Sequence, residues 1–474
     1  MFGEREFVTF WLAMTGAEDR SPRSRPRHLL PPGPRLPGII QLLCETGVNW
    51  RYLQLLRRRF GPVFTMTAAF HEPVVVVSSP ETARRVFALT RDDFTHANAT
   101  SSLEGAMDGR SIFFIDRADH QAIRRALAVP FSRRHVAGDA APLHDLIRRA
   151  VAKLPERGPV ALVPFGERLA TCVVVALIFG GAADDPRNEA LADLAVAGLE
   201  RSGSFLERLS VLVPPLQRLA WLNPYKARHA DEAGRFATVI AERVAARRAE
   251  GPSADGPVLD RLLLARWSDG RPLDDEEVAS QILALIVAGN ETTASVVAFA
   301  VRWLLMNRPI LEALRDALDA LGPEPSADAL AAVPLLQAVC AETLRLSPPT
   351  WSVENRRLRR PLDLGDHVLP AGTRVTVSPV LVGRDAGLYR DPERFDPSRF
   401  LALSPPPHEQ PAFGGGLRLC PGLWLATLEM RLLLAELVRQ RDLTPVRRTR
   451  PMRAGLVVVP SHGMPVRARP RVRA

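Results

Sequence analysis

Apolar positions first gather in a run from Phe7 to Met14 that Thr9 interrupts. A bilayer-spanning helix needs about 20 apolar residues, and Glu4 and Glu6 stand where a secretory leader wants a basic start. The run predicts a short surface helix or a flexible extension that at most touches a membrane. Residues 15–37 are rich in Pro, Arg, Ser and Gly and end in Leu29-Leu-Pro-Pro-Gly-Pro-Arg-Leu-Pro37. Repeated proline fixes φ and removes donors, so a stiff extended lead-in is expected. Val63 to Met66 and Val74 to Val77 are rich in β-branched residues and predict two strands joined as a hairpin. Helical periodicity then dominates from about Pro80 to Glu250, and a Gly/Pro loop follows at residues 251–257.

The pattern after that loop predicts the most informative element. Asp274 caps a helix, with Glu277 three residues on completing a capping box. It runs to Met306, where Asn307-Arg308-Pro309 stops it, spanning about 48 Å. Its apolar positions go nearly all round, as in a helix through the centre of a large protein. Asn290-Glu291-Thr292-Thr293 in its middle argues against a membrane span. Residues 350–383 alternate and carry the turn Leu369-Pro-Ala-Gly372, predicting a small sheet. Residues 385–412 hold six prolines and little periodicity, and so long a loop tends to be functional. A last helix is expected from about Gly422 to Gln440, then short strands. The expected fold is mainly α with small β-sheets (α+β). Residues 1–29 form an extension and 30–474 a single domain, although 474 residues alone would suit about three.

Composition narrows the class. The chain is 46% hydrophobic and 24% charged, which excludes wholesale disorder. The four cysteines, Cys44, Cys172, Cys340 and Cys420, lie too far apart for a disulfide scaffold or a C-x-x-C pair. Net charge is +10, and residues 439–474 carry ten Arg against the single acid Asp442. Nucleic-acid binding finds no support, because no aromatic residue is interleaved to stack a base. A solvated basic tail with a docking face for an acidic partner is the expectation.

One segment carries chemistry on its face. In Phe413-Gly-Gly-Gly-Leu-Arg-Leu-Cys-Pro-Gly422 three glycines permit positive φ and close backbone approach. A cysteine then precedes a helix, whose N-terminal amides favour an anionic sulfur. Cys420 reads as a thiolate in a backbone cradle.

With these residues the sequence resembles the cytochrome P450 family, whose F-x-x-G-x-R-x-C-x-G signature matches at Phe413, Gly416, Arg418, Cys420 and Gly422. The resemblance implies a P450 fold with a long central helix over haem b (iron protoporphyrin IX). Cys420 would be its axial ligand, with Phe413, Gly414 and Gly422 about the sulfur. Glu342-Thr-Leu-Arg345 matches E-x-x-R, a structural pair joined by an arginine of a later P-x-R-F segment. Arg399 is assigned that place, with Arg394 of Pro392-Glu-Arg-Phe395 as the alternative. Ala288-Gly-Asn-Glu-Thr-Thr293 matches A/G-G-x-D/E-T-T: Thr292 and Glu291 would relay protons, and Ala288 and Gly289 would border the cofactor, Gly289 leaving a groove for dioxygen. His120-Gln-Ala-Ile-Arg124 resembles H-x-x-x-R, so His120, Arg124 and Arg418 would meet the haem propionates. Arg356, or adjacent Arg357, stands where another propionate arginine is often found. Gly383 departs from the His frequent before Arg384-Asp385, and Glu291 replaces the commoner Asp.

The implied function is a cytoplasmic monooxygenase, expected as a monomer without an integral membrane span, acting on an apolar small molecule. NAD(P)H would supply electrons only indirectly, through a reductase and a ferredoxin or flavodoxin. The alternatives are a haem-thiolate isomerase, dehydratase or peroxygenase, and a haem sensor or carrier. The loop Thr95 to Phe114, Leu285, Ile286 and Ala288, and Trp351 to Val353 are expected to line the pocket, with Glu354 nearby.

Overall fold

The computed structural model describes residues 30–47, 50–67, 72–95, 109–199, 224–454 and 457–472. The expected extension 1–29, most of the Thr95–Phe114 loop and the side chain of Glu354 lie outside the described residues.

Seven helices position the site: α1 (Pro80–Phe87), α2 (Arg117–Ala128), α3 (Ala140–Ala152), α4 (Leu162–Phe179), α5 (Asp275–Met306), α6 (Pro334–Leu346) and α7 (Leu423–Gln440). The central helix α5 begins as its sequence predicts. Asp274 accepts the Glu277 amide at 2.8 Å, and Glu277 accepts the Asp274 amide at 2.9 Å. Arg271 and the Trp267 indole also bond Glu277. With the Arg271 hydrogen bond as first cause, its carboxyl is held down to about 2. At the far end the Asn307 amide returns to Leu304, and Pro309 opens the next helix.

Helices α4 and α5 are each long and apolar enough to cross a bilayer by length and composition. Here they bury those faces largely against each other. A Cβ on Gly289 of α5 would stand 2.6 Å from Val174 Cγ2 of α4, and one on Gly166 of α4 would stand 3.0 Å from Ala294 Cβ of α5. Between these contacts Asn290 Nδ2 donates to Thr171 Oγ1 at 2.7 Å. The order of the pairs makes the helices antiparallel. Gly289 therefore permits close helix packing on the α4 side, and it stays partly exposed beside Ala288.

The two predicted valine-rich strands, β1 (Val63–Met66) and β2 (Val74–Val77), pair antiparallel with Val63 opposite Val77. With β3 (Phe94–Thr95), β5 (Val353–Leu358) and β6 (Arg374–Val377) they form a sheet of order β1-β2-β6-β5-β3, in which β2 and β6 run parallel. Further along the chain β7 (Arg441–Pro445) and β8 (Pro465–Pro470) pair with each other, and β8 also pairs with β4 (Val160–Ala161). The Leu162 amide then bonds the Met464 carbonyl at 3.2 Å.

The basic C-terminal region is only partly a solvated face. Arg439 is fully buried and donates to the carbonyls of Leu318, Gly322 and Pro323. Arg441 is buried on Val151 and Ala152, and Arg471 pairs with Asp319 at 2.7 Å. These guanidiniums cap helix and loop carbonyls, a use that charge counting does not reveal. Arg447, Arg448 and Arg450 remain exposed.

Helix α7 packs on α3 and α5. It carries Glu436, bonded at 2.7 Å to His144 of α3, and Glu429, which is 5% exposed. Burial pushes the Glu429 carboxyl up to about 8. A folded-state value above the unfolded one means that the native chain binds more protons between about pH 4.5 and pH 8, so this group's contribution to stability falls as pH rises through that window. Glu429→Gln should therefore stabilise the protein by an increment that grows from pH 5 to pH 8 in urea titrations. A pH-independent increment would contradict the assignment.

Candidate active site

The cysteine loop needs each of its three glycines for a different reason. Gly414 and Gly416 have φ of 70° and 62°, and a Cβ on Gly415 or Gly416 would run into Phe87 at the end of α1. The fold thereby brings the loop hard against the β-sheet side of the molecule. The Cys420 amide bonds Phe413 O at 2.9 Å, and the Leu419 amide bonds Gly416 O at 3.2 Å, closing the cradle. Phe413 packs partly buried against the main core. Gly422 is the N-cap of α7.

Cys44, Cys172 and Cys340 are buried, whereas Cys420 is partly exposed. Burial pushes the Cys172 thiol to about 11 and the Cys340 thiol to about 12. The Cys420 thiol is also raised by burial, with the Gly422 amide and then Arg124 opposing. The Gly422 amide at the start of α7 acts in the expected direction, favouring the anion, against desolvation.

Behind the loop lies a buried ionic cluster. Glu342 and Arg345 of α6 are both fully enclosed and form a bidentate pair at 2.6 and 2.7 Å. Arg345 also donates to Gly383 O, Pro392 O and Arg394 O, and its guanidinium lies 4.9 Å from the Tyr389 ring centroid. Glu342 accepts the Asp396 amide at 2.8 Å. Arg399 Nε lies 3.5 Å from Glu342 Oε1, an ion pair outside hydrogen-bond geometry. The structure brings Arg399 to this carboxylate, while Arg394 supplies a carbonyl and leaves its side chain exposed. Gly383 is a fit as well as a departure, since a Cβ there would strike Arg345 O.

Beside the loop is a cavity of about 730 Å³, bordered by Phe87, Arg91, His120, Arg124, Leu417 and Arg418 among others. His120 is buried, and burial, then Arg418 and Arg124, lower it to about 3, so the imidazole is neutral. Arg418 bonds Asp116 at 2.7 Å and the carbonyls of Ile115 and Ile112 at 2.7 and 3.1 Å. Strand alternation separates the two candidates in β5. Arg356 is fully buried, lies 4.2 Å from the Phe94 ring centroid and donates to Val86 O and, at 3.5 Å, to Gly415 O. Arg357 faces out to Glu72.

Helix α5 carries the remaining expected site residues. From Glu277 to Leu305 its only exposed residue is Ala288. Thr292 donates to Ala288 O at 2.8 Å, and Glu291 is half-buried. Of the residues expected to line a pocket, Leu285 and Ile286 instead sit in the main core, because they face neighbouring helices. Trp351 and Val353 pack half-buried on the smaller core clusters.

A cytochrome P450 family model matches residues 30–464. The chain belongs to the cytochrome P450 family. It is 33% identical over 453 residues to a Mycobacterium tuberculosis protein named cytochrome P450 135B1, covering 93% of this chain and 91% of that one. It is 30% identical over 437 residues to a second M. tuberculosis relative named cytochrome P450 137, covering 90% and 86%. A solved cyanobacterial P450, CYP120A1 with retinoic acid bound, superposes with a TM-score of 0.75 at 24% identity, over 93% of this chain and all of that one.

A P450 works with haem, and the residues present suit it. Among the described residues no group of three or more His, Cys, Asp or Glu could hold a bare metal ion. A ring that brings four nitrogen donors needs only one protein sulfur, and Cys420 is the one thiol with surface. The ring's apolar faces match Phe413 and the exposed turn at Ala288, and its carboxylates match Arg124 and Arg418. Sequence reasoning missed Phe87, against which the loop closes, and Asp116. The Asp116 position before a helical repeat marks it as a helix cap, but its ion pair with Arg418, 302 residues away, has no local signal.

Proposed function

We propose that this P450 inserts one atom of dioxygen into an apolar small molecule, with haem b that Cys420 would hold through its sulfur. What supports this reading above all is the single exposed turn in the otherwise covered central helix, where Thr292 and Glu291 stand together beside Ala288. When bound, haem supplies the iron chemistry that activates oxygen. The chain's own residues do the rest. The Gly422 amide lowers the Cys420 thiol and so favours its anion. Arg124 and Arg418 supply positive charge for the ring carboxylates, and neutral His120 offers a further N–H. Arg356 braces the cysteine loop through Gly415 O. The Thr292 hydroxyl, parked on Ala288 O, can turn to hold a proton over the reacting oxygen, with Glu291 passing protons from outside. Glu342, Arg345 and Arg399 keep the loop rigid from behind.

Electrons come from NAD(P)H through a reductase and a ferredoxin or flavodoxin. The exposed Arg447, Arg448 and Arg450 add positive charge for an acidic partner. The free cysteines suit a reducing cytoplasm.

Turnover with a redox partner tests the reading. Thr292→Ala should retain haem and substrate affinity, yet yield about tenfold less product per NAD(P)H, with the balance as hydrogen peroxide. That is smaller than the roughly 10²–10⁴-fold of a fully positioned acid–base group, because water substitutes in part. Unchanged yield removes Thr292 from the relay. Wild-type turnover that never needs reductant replaces the monooxygenase reading with an isomerase or peroxygenase.

A further inference from the structure

The segment from Arg110 to Asp116 links α5 to the cysteine loop. On one side the buried Gln281 of α5 clamps it, accepting the Ile112 amide at 2.8 Å and donating to Arg110 O at 2.7 Å. On the other side Arg418 of the cysteine loop donates to Ile112 O, Ile115 O and the Asp116 carboxylate. The carboxylate completes this second clamp at a local cost. Asp116 stands at the N-cap of α2, but its side chain makes no capping bond to that helix. The next residue, Arg117, adopts a φ of 51°, left-handed for a non-glycine residue. Strain of this kind persists only where surrounding contacts over-determine the backbone. The surrounding contact here is the ion pair with Arg418, whose two side chains are 17% and 9% exposed.

We propose that Asp116 is a positioning residue for haem: its carboxylate fixes the Arg418 guanidinium and reduces the positive charge that this arginine presents to the ring carboxylates. The charged groups around the same cavity are Arg91, Asp92, Arg117 and Arg124. Partial neutralisation of Arg418 by Asp116 therefore changes the field at the ring edge, and less positive charge there disfavours the reduced iron. This inference rests on the haem reading above.

The test is the ferric/ferrous midpoint potential of the haem-loaded protein, measured by spectroelectrochemistry. Asp116→Asn keeps the side-chain shape and removes the charge. Asp116→Ser also removes the charge but leaves a good helix cap, so it separates electrostatics from folding. Both should raise the potential by the equivalent of at least a threefold change in the ferrous-to-ferric ratio, about 28 mV at 59 mV per decade for one electron. Asp116→Glu should recover at least half of that shift. In an Arg418→Gln background Asp116→Asn should shift the potential by less than half as much. An unchanged potential in the neutral variants, or an equal shift without Arg418, overturns the inference. Variants folded by circular dichroism but unable to retain haem support it, and unfolding of both reduces Asp116 to a structural cap. Wild-type protein that shows no thiolate-type haem spectrum defeats the underlying haem reading instead, so the two failures are distinguishable.

Discussion

Cys420→Ser is expected to abolish the thiolate-type Soret band that reduced wild-type protein should show with carbon monoxide. Serine keeps the loop's shape and its amide bond to Phe413 O, so the secondary structure should persist while the donor sulfur is gone. Cys44→Ala, Cys172→Ala and Cys340→Ala should each retain the band. Those three thiols are buried at 2–7% exposure, and burial raises all of them, so they remain protonated packing groups. The comparison is sharp because the four cysteines share one chemistry and differ only in placement. Retention of the band in Cys420→Ser, or its loss in one of the other three, would move the ligand elsewhere.

Arg345→Ala should be the most damaging substitution away from the sulfur. Removing one partner of a buried ion pair costs about 3–5 kcal/mol, against a total domain stability of about 5–15 kcal/mol. The loss here falls at the upper end, since Arg345 also holds the carbonyls of Gly383, Pro392 and Arg394. Glu342 would keep the Asp396 amide and the more distant Arg399, which is too little for a fully buried carboxylate. Little haem-loaded protein should be recovered, and chemical denaturation should give a clearly lower midpoint. Arg399→Ala should be milder and Arg394→Ala near neutral, because only the Arg394 main chain takes part. Wild-type stability in Arg345→Ala would mean that the cluster is not what braces the loop.

Much of this was legible in the sequence where the signal is local. The capping box of α5, the valine strands β1 and β2, the extent of α7 and the glycine cradle each depend on residues within a few positions of one another. What was not legible depends on what comes from elsewhere in the chain. Nothing near Gly289 announces its close approach to Val174 of α4. Arg439 and Arg441 read as docking charges until the carbonyls of residues 318, 322, 323, 151 and 152 surround them. Leu285 and Ile286 share a helix with Ala288, but neighbouring helices cover the first two and leave the third. Asp116 joins this group, since nothing near it in sequence announces Arg418.

The pairing of β4 with β8 also fixes when this part of the molecule can finish folding. Val160 and Ala161 find their partners only at Val466 and Pro465, about 300 residues later. At the roughly 5–20 residues per second of translation, that strand waits about 15–60 s on the ribosome with its edge unpaired, and α4, the element that follows it, waits for the Met464 carbonyl that meets its first amide. The segment at residues 464–466 is thus the latch for residues 160–162. Its synthesis, rather than emergence of the cysteine loop, is the event that lets these elements close, and a protein cut just before Met464 would keep every site residue and lack the latch.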